Sequence, residues 1–236
     1  MKIMTFNIQH CLNYKENIID IGFFAQAIKK YDPDFCGLNE VRGDGPLDGY
    51  TDQTNALADI LGWNSYFGEA IKVKRSSPYG NSFVSKHRII SAETVKIPDP
   101  IFKIERAGYE SRCVIKAIVE IEGKTICFLV CHMGLAKAER KNAVKTICRL
   151  IDATNMPVIL MGDFNAEPDD KVFLPLRERL QDTDKFSETE NNLTYPSDAP
   201  RTKIDYIFYR GLSCKKTETI SEVFSDHLPI IAEFEF

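Results

Sequence analysis

Several side chains that can bind metal ions or transfer protons come directly after short apolar segments of this chain. Asp163 and Asn165 follow residues 158–161, and His132 follows residues 126–131. Carboxylate oxygens bind hard cations, and an imidazole exchanges protons near neutral pH. A single polar residue at the end of a strand is usually a cap or a turn former. Asp205 lies inside an apolar segment and Asp226 and His227 come just before the last one, so the full set of residues at or within strands is Asn7, Glu40, His132, Asp163, Asn165, Asp205, Asp226 and His227.

Asp205 differs from the others because it lies inside a mainly apolar segment, residues 203–208. A carboxylate that is buried without a partner costs several kcal/mol, so an isolated one is unfavourable at this position. We therefore expect Asp205 to have a partner, and a histidine is the natural candidate.

The elements that would position these residues alternate between strands and helices. Helices are predicted over residues 18–30, 51–61 and 137–153. A turn at residues 122–123 indicates a hairpin, and hairpins mixed with strand–helix–strand units favour an α/β fold of two packed sheets flanked by helices. No repeat or linker interrupts the chain, so we predict one domain over residues 1–236. Strand ends that face one rim of such a sandwich can converge on a single cleft.

The charge distribution argues against a protein whose whole surface attracts nucleic acid, because the net charge is −4. Residues 70–90 nevertheless contain no acidic residue, and Tyr79 and Phe83 lie among their basic residues. Such a segment could follow a single strand of nucleic acid, or it could be a solvated loop. The basic residues concerned are Lys72, Lys74, Arg75, Lys86 and Arg88. We interpret the basic residues of the helix at 137–149 as a solvated face.

Cysteine usage and hydropathy bear on the compartment. The seven cysteines form no Cys-x-x-Cys pair, which is typical of small buried side chains in a reducing environment. The first residues do not have the pattern of a signal peptide, and no segment approaches the roughly 18 apolar residues of a membrane span. We predict a cytoplasmic protein with no membrane span, and we infer no obligate protein partner.

Taken together and in this order, the motifs resemble those of the endonuclease/exonuclease/phosphatase superfamily. This group contains deoxyribonuclease I, the abasic-site endonucleases of the exonuclease III type, the deadenylases and the inositol-polyphosphate 5-phosphatases. The motifs are Thr5-Phe6-Asn7, Leu38-Asn39-Glu40-Val41, Cys131-His132-Met133, Gly162-Asp163-Phe164-Asn165, Ile204-Asp205-Tyr206-Ile207-Phe208 and Ser225-Asp226-His227-Leu228-Pro229. The resemblance implies a four-layered α/β/β/α sandwich in which two mixed β-sheets pack face to face.

The resemblance also implies a divalent metal, Mg²⁺ or Mn²⁺, and assigns residues to it. Glu40 matches the principal metal ligand of the family, while Asn7 and Asp226 match groups that hold the metal or its waters. Asp163 matches the residue that orients and deprotonates the attacking water. Asn165 matches a neutral donor to the phosphate or to that water.

Further roles follow from the same resemblance. Asp205 and His227 match an aspartate–histidine pair in which the charged imidazole donates to a phosphate oxygen in the transition state. His132 matches a second histidine that contacts the phosphate. Arg112 resembles, more loosely, a phosphate-binding arginine, and Asn81 resembles a substrate-binding residue near the cleft.

Two departures argue against repair of abasic sites. Gln9 stands where abasic-site endonucleases have a metal-holding aspartate, and residues 200–203 lack the aromatic residue that receives the abasic sugar. We therefore predict a metal-dependent phosphoesterase that uses direct attack by water, most simply a nuclease or phosphodiesterase acting on DNA or RNA. The alternative substrate is a small phosphate ester or a lipid headgroup, such as an inositol phosphate, a nucleotide or a sugar phosphate. A non-catalytic binding module on the same fold is a third hypothesis.

Overall fold

Two six-stranded sheets form the centre of the molecule in the computed structural model, which describes residues 1–187 and 192–236. Sheet I contains, in spatial order, β13 (Ser213–Thr219), β14 (Ile230–Glu235), β1 (Lys2–Asn7), β4 (Phe35–Arg42), β6 (Ser77–Ser85) and β5 (Asn64–Val73). Sheet II contains β11 (Gln181–Asp182), β12 (Asp205–Arg210), β10 (Val158–Asp163), β9 (Lys124–His132), β8 (Cys113–Ile121) and β7 (Arg88–Lys96). A separate short hairpin pairs β2 (Leu12–Asn13) with β3 (Ile18–Ile19).

Four α-helices and three short 3₁₀ turns complete the described structure. The helices are α1 (Ile21–Tyr31), α2 (Gln53–Leu61), α3 (Lys137–Asp152) and α4 (Leu174–Arg177), and the 3₁₀ turns are Gln9–Cys11, Lys171–Phe173 and Thr183–Phe186. Helices α1 and α2 cover the outer face of sheet I, and α3 and α4 cover that of sheet II. The predicted four-layered α/β/β/α sandwich with two mixed sheets is therefore confirmed.

The layer between the sheets is made of apolar side chains from both. The ring of Phe35 on β4 stacks on that of Phe128 on β9, with centroids 4.0 Å apart, and Phe83 stacks on the other side of Phe35. All three are fully buried. Burying a side chain of this size contributes about 1.5–3 kcal/mol, so this layer holds the two sheets at a fixed separation.

Strand direction brings the chemically active residues to one rim. In each sheet the central pair is parallel, β1 with β4 and β9 with β10, so the carboxyl ends of each pair lie at the same edge. Strands β12 and β14 run antiparallel to their neighbours and begin at that edge. We call this edge the rim. The strand ends named in the sequence analysis meet at this edge.

The first two helices end within one residue of their predicted ends. Asp20 accepts a hydrogen bond from the Phe23 amide at 2.8 Å and starts α1, which ends just before Pro33. Gly62 ends α2 in the left-handed conformation, with φ of 72°. The first helix starts three residues later than predicted, because Ile18 and Ile19 pair with β2 instead.

The idea of one basic loop between residues 70 and 90 is wrong. This region forms the second half of β5, a tight turn and the whole of β6, so its basic residues divide between the two ends of a strand. Lys74 and Arg75 lie at the turn, whereas Lys86 lies beyond the other end of β6 and pairs with Asp32 at 2.7 Å. These residues cannot follow one strand of nucleic acid together.

Two further findings concern the cysteines and the helices. All seven cysteines are free and buried, as their spacing predicted. Cys127 and Cys131 share strand β9. Within residues 1–187 and 192–236, no helix has both the length and the apolar composition needed to cross a bilayer.

Candidate active site

The predicted site residues from both sheets meet at the rim. Asn7 ends β1 and Glu40 lies near the end of β4 in sheet I, while His132 and Asp163 end β9 and β10 in sheet II. The pairing of β4 with β6 shifts register between Leu38 and Val41. Glu40 lies in this irregularity with φ of 61°, and such a bulge re-aims a side chain.

The amide of Asn7 joins two carboxylates that come from different sheets. Its Nδ2 donates to Glu40 Oε1 at 3.1 Å and to Asp163 Oδ2 at 3.1 Å. The Tyr79 hydroxyl donates to the other oxygen of Glu40 at 2.9 Å. Neutral donors therefore hold both carboxylates in place without neutralising their charge.

This arrangement fits a divalent cation. Ligand atoms of Glu40, His132 and Asp163 lie within 4.8 Å of one another, and the nearby oxygen donors are of the kind that Mg²⁺ and Mn²⁺ prefer. Burial raises the pKa of Asp226 to about 6. The charge of His227 opposes this rise, and the negative charge of Glu40 adds to it. A bound cation would relieve this crowding of carboxylates.

Asp205 has the histidine partner that its sequence context predicts. His227 Nδ1 lies 2.8 Å from Asp205 Oδ2, and both side chains are buried. Burial by itself lowers the pKa of His227, but the Asp205 carboxylate outweighs it and the pKa rises to about 10. The ring is therefore an imidazolium at neutral pH. Its Nε2 lies 3.7 Å from Asp163 Oδ2, and the Tyr195 ring packs against it with centroids 4.9 Å apart.

His132 is in the opposite protonation state. Burial, together with the charges of Arg112 and His227, holds the pKa of His132 well below its usual range. Arg112 Nη1 lies 3.1 Å from His132 Nδ1 and donates to it, so the neutral ring carries its proton on Nε2. That nitrogen is 3.4 Å from Asp163 Oδ2. The two histidines thus flank Asp163, one charged and one neutral.

Asp163 itself is fully buried among these groups. Burial and the charge of Asp205 raise its pKa above the usual aspartate range, while the charge of His227 opposes the shift. The backbone N–H of Asn165 donates to Asp163 Oδ1 at 2.9 Å, and the side-chain amide of Asn165 donates to the Met133 carbonyl at 2.9 Å. A carboxylate with raised proton affinity, held from several sides, is suited to act as a general base.

Buried amides connect the sheets directly behind this cluster. Asn39 Oδ1 accepts from the Asp163 backbone N–H at 2.9 Å, and Asn39 Nδ2 donates to Asn81 at 2.8 Å and to the Cys131 carbonyl at 3.2 Å. A Cβ on Gly162 would lie 1.8 Å from the Cys131 carbonyl oxygen, so only glycine permits this close approach.

The structure places the loosely assigned residues differently. Arg112 reaches the cluster through His132, and its Nε is buried without a hydrogen-bond partner among the described residues. The Asn81 amide instead donates to the Cys113 carbonyl at 3.0 Å, which links β6 to β8. The hydrogen bonds of Asn81 join the two sheets, so its geometry is that of a positioning residue.

Sequence reasoning missed several residues that support the site. Asn39 was quoted only as part of a motif, although an amide inside an apolar strand is the same signal that singled out Asp205. Ser225 donates to the Asn7 carbonyl at 2.6 Å and accepts from the His227 backbone N–H at 3.0 Å. Tyr79 and Tyr195 carry no comparable signal, because their roles depend on contacts between distant segments.

The chain belongs to the endonuclease/exonuclease/phosphatase family, whose model matches residues 4–227. Members of this family are phosphoester hydrolases that depend on a divalent metal. The abundance of ligands described above agrees with that dependence.

Solved structures share the fold over nearly the whole chain. An endonuclease/exonuclease/phosphatase family protein from Leptotrichia buccalis aligns with a TM-score of 0.79 at 22% identity, covering 100% of both chains. The mannosyl-6-phosphatase Bt3783 of Bacteroides thetaiotaomicron aligns with 0.77 at 18% identity, also over 100% of both. The catalytic domain of human nocturnin aligns with 0.74 at 20% identity, covering 100% of this chain and 94% of that one. These likenesses concern the fold alone.

One curated relative matches a shorter segment. A UPF0294 protein of Yersinia pseudotuberculosis serotype O:1b is 38% identical over 79 residues. The match spans 34% of this chain and 30% of the relative.

Proposed function

We propose that this protein is a divalent-metal-dependent hydrolase that cleaves a phosphodiester of DNA or RNA by direct attack of water. The observation that carries the proposal is the bridge from Asn7 to Glu40 and Asp163, beside the buried Asp205–His227 pair. A base, a charged donor and a metal-binding carboxylate thus lie within reach of one phosphate. We also propose that residues 1–236 act as a single catalytic domain.

Glu40, Asn7 and Asp226 are the residues that would hold Mg²⁺ or Mn²⁺. When bound, the ion would supply positive charge that offsets the negative charge of the phosphate and of the leaving oxygen. The charge of Glu40 contributes to the raised pKa of Asp226, although burial is its main cause, so the two carboxylates are close enough to share one cation.

Asp163 orients the attacking water and accepts its proton as the oxygen forms a bond to phosphorus. The bond from phosphorus to the ester oxygen breaks, and the leaving oxygen takes a proton from solvent. His227, held as an imidazolium by Asp205, donates a hydrogen bond to a non-bridging phosphate oxygen as negative charge grows there. Such donors, fixed before the reaction, are worth about 2.7–4 kcal/mol each in transition-state stabilisation.

Arg112, His132 and Asn165 would bind the remaining phosphate oxygens. The buried Nε of Arg112 has no partner among the described residues, which supports a role toward an anion. The Asn165 amide nitrogen lies 3.1 Å from His132 Nε2, so both groups can face one oxygen atom.

A small phosphate ester or lipid headgroup is the second candidate substrate. It is favoured by the position of Arg112, His132 and Asn165 side by side at the rim, because these groups could bind a terminal phosphate as well as a diester. The solved structure named as a mannosyl-6-phosphatase has the same fold, which is compatible with this alternative.

The test is an activity assay on protein stripped of metal with EDTA and then supplied with Mg²⁺ or Mn²⁺. The substrates are a labelled single-stranded oligonucleotide and, separately, a nucleotide, an inositol phosphate and a sugar phosphate. We expect metal-dependent shortening of the oligonucleotide, abolished in Asp163→Asn. Turnover of small esters with an intact oligonucleotide would transfer the assignment to the second candidate. No metal-dependent turnover of any substrate would overturn the proposal and favour a binding module.

A further inference from the structure

A long groove runs along helix α3 on the outer side of sheet II. One wall is α3 and the other is the segment of residues 165–175 with the residues that follow it. The groove has a volume of about 1170 Å³. Typical sites for single small molecules have about 300–1,000 Å³, so the groove is larger than one nucleotide needs. We call it the α3 groove.

The α3 groove begins at the catalytic centre. Asn165, whose amide contacts His132, also lines the groove. Helix α3 starts only five positions after His132, at Lys137, and its 16 residues extend about 24 Å away from the rim. A ligand that enters from the catalytic centre past Asn165 can therefore continue along the helix.

Four basic residues form a single row on the wall made by α3. They recur at every fourth position, about 6 Å apart along the axis, and all are exposed. These residues are Lys137, Lys141, Lys145 and Arg149. We call them the basic row. Within residues 1–187 and 192–236 none of the four forms an ion pair. Like charges spaced in this way repel each other, and a chain of anionic groups would relieve the repulsion.

The opposite wall has a different character. Asp170 on that wall pairs with Arg140 of α3 at 3.4 Å, and Asp152 at the end of α3 pairs with Arg179 at 2.8 Å. Glu167 and Asp169 remain on that side, next to apolar side chains such as Val172 and Pro175, and Val144 on α3 adds to the apolar lining. A ligand with anions along one edge and flat apolar groups along the other matches this asymmetry.

We propose that the α3 groove binds a single strand of DNA or RNA that leads out of the catalytic centre, with its phosphates along the basic row. The inference rests on the proposed function, whose substrate it narrows to a single strand. The concave shape does not fit a flat lipid surface. A free sugar phosphate would leave most of the groove empty. The proposal adds a binding role to the solvated face that the sequence predicts for this helix.

The test compares two double variants that change the net charge equally. K141E/K145E reverses the middle of the basic row, and K29E/K124E reverses two exposed lysines on α1 and at the start of β9. Binding of a fluorescent single-stranded oligonucleotide is measured by anisotropy in the Asp163→Asn background, across a range of salt concentrations. Turnover of a small phosphate ester is measured with Asp163 intact, and circular dichroism checks folding.

We expect K141E/K145E to raise the Kd at least about tenfold and K29E/K124E to change it less than about twofold. Loss of two phosphate contacts should reduce the slope of log Kd against log salt by about 1.4. Affinity should also increase with oligonucleotide length until the strand spans the groove. Turnover of the small ester should be the same in both double variants.

Equal effects of the two double variants, or no effect of either, would overturn the groove proposal. If the small ester is hydrolysed normally and K141E/K145E does not change the Kd for the oligonucleotide, only the groove proposal fails. If no phosphate ester is hydrolysed but the affinity still depends on the basic row, only the proposed catalytic function fails.

Discussion

The catalytic centre and the α3 groove share Asn165, but their charged groups are held in opposite ways. In the centre, His227 is buried and bonded to Asp205, and Asp163 is held by Asn7. In the groove, the basic row is exposed and unpaired within the described part of the chain. A reacting phosphate is stabilised best by charges that are fixed before the substrate arrives. Binding of a flexible polyanion requires only charges that can adjust to it.

The largest expected effect tests the fixed region. His227→Ala should lower kcat by about 10²–10⁴-fold, because it removes the charged donor that faces the phosphate. It should leave the Kd for the oligonucleotide within about twofold of the value for the protein with His227. Steady-state kinetics and anisotropy on the same protein separate the two quantities.

The double variant Asp205→Asn/His227→Ala sharpens this result. Because Asp205 acts through the imidazole, its loss should add little once His227 is absent. If the two substitutions instead lower kcat by factors that multiply, Asp205 contributes to catalysis by a route other than His227.

A smaller effect is expected from the amides behind the centre. Asn39→Ala leaves the backbone N–H of Asp163 and the side-chain oxygen of Asn81 without their Asn39 partner. It should lower the free energy of unfolding by about 1–3 kcal/mol. It should also reduce kcat about tenfold or more, since Asp163 loses its support from sheet I. Urea unfolding and the ester assay measure both.

Asn64→Ala is the matched control, because Asn64 is an exposed amide that donates to the His87 carbonyl at 3.0 Å. It should change stability by less than about 0.5 kcal/mol and leave kcat unaltered. Equal behaviour of the two variants would mean that the link between the sheets does not support catalysis.

The smallest effect concerns pH. The pKa of His227 is about 10 in the folded protein, compared with about 6.5 for an unperturbed histidine. A raised pKa stabilises the fold fully below pH 6.5, and this contribution is lost as the pH rises through 10. In EDTA, the wild type should therefore lose about 1–2 kcal/mol more than His227→Gln between pH 8 and pH 10.5. If both proteins lose the same free energy of unfolding between these two pH values, the raised pKa of His227 is contradicted.

The meeting of these residues could be predicted from the sequence because each follows, interrupts or shortly precedes an apolar strand. Asp205 is the clearest example, since the energetic need for a partner in an apolar segment predicted the histidine contact that the structure contains. Strand direction then brings those ends together, and direction follows from the order of hairpins and crossover helices.

Other features could not be predicted, because they depend on segments that are distant in the chain. The edge strand β13 has a polar sequence with Lys215, Lys216 and Glu218, and its pairing with β14 overrides that pattern. The groove has one wall on α3 and another beginning at Asn165, and only the packing of the two against sheet II creates it.

The bridge of Asn7 between Glu40 and Asp163 has a consequence for how this gene can change. One carboxylate belongs to sheet I and the other to sheet II, and sheet I is itself assembled from both ends of the chain. A deletion that removed either sheet would remove one of the two carboxylates, so neither layer can carry the bridge alone. Changes that keep the bridge are therefore those in surface residues and loops around the paired layers.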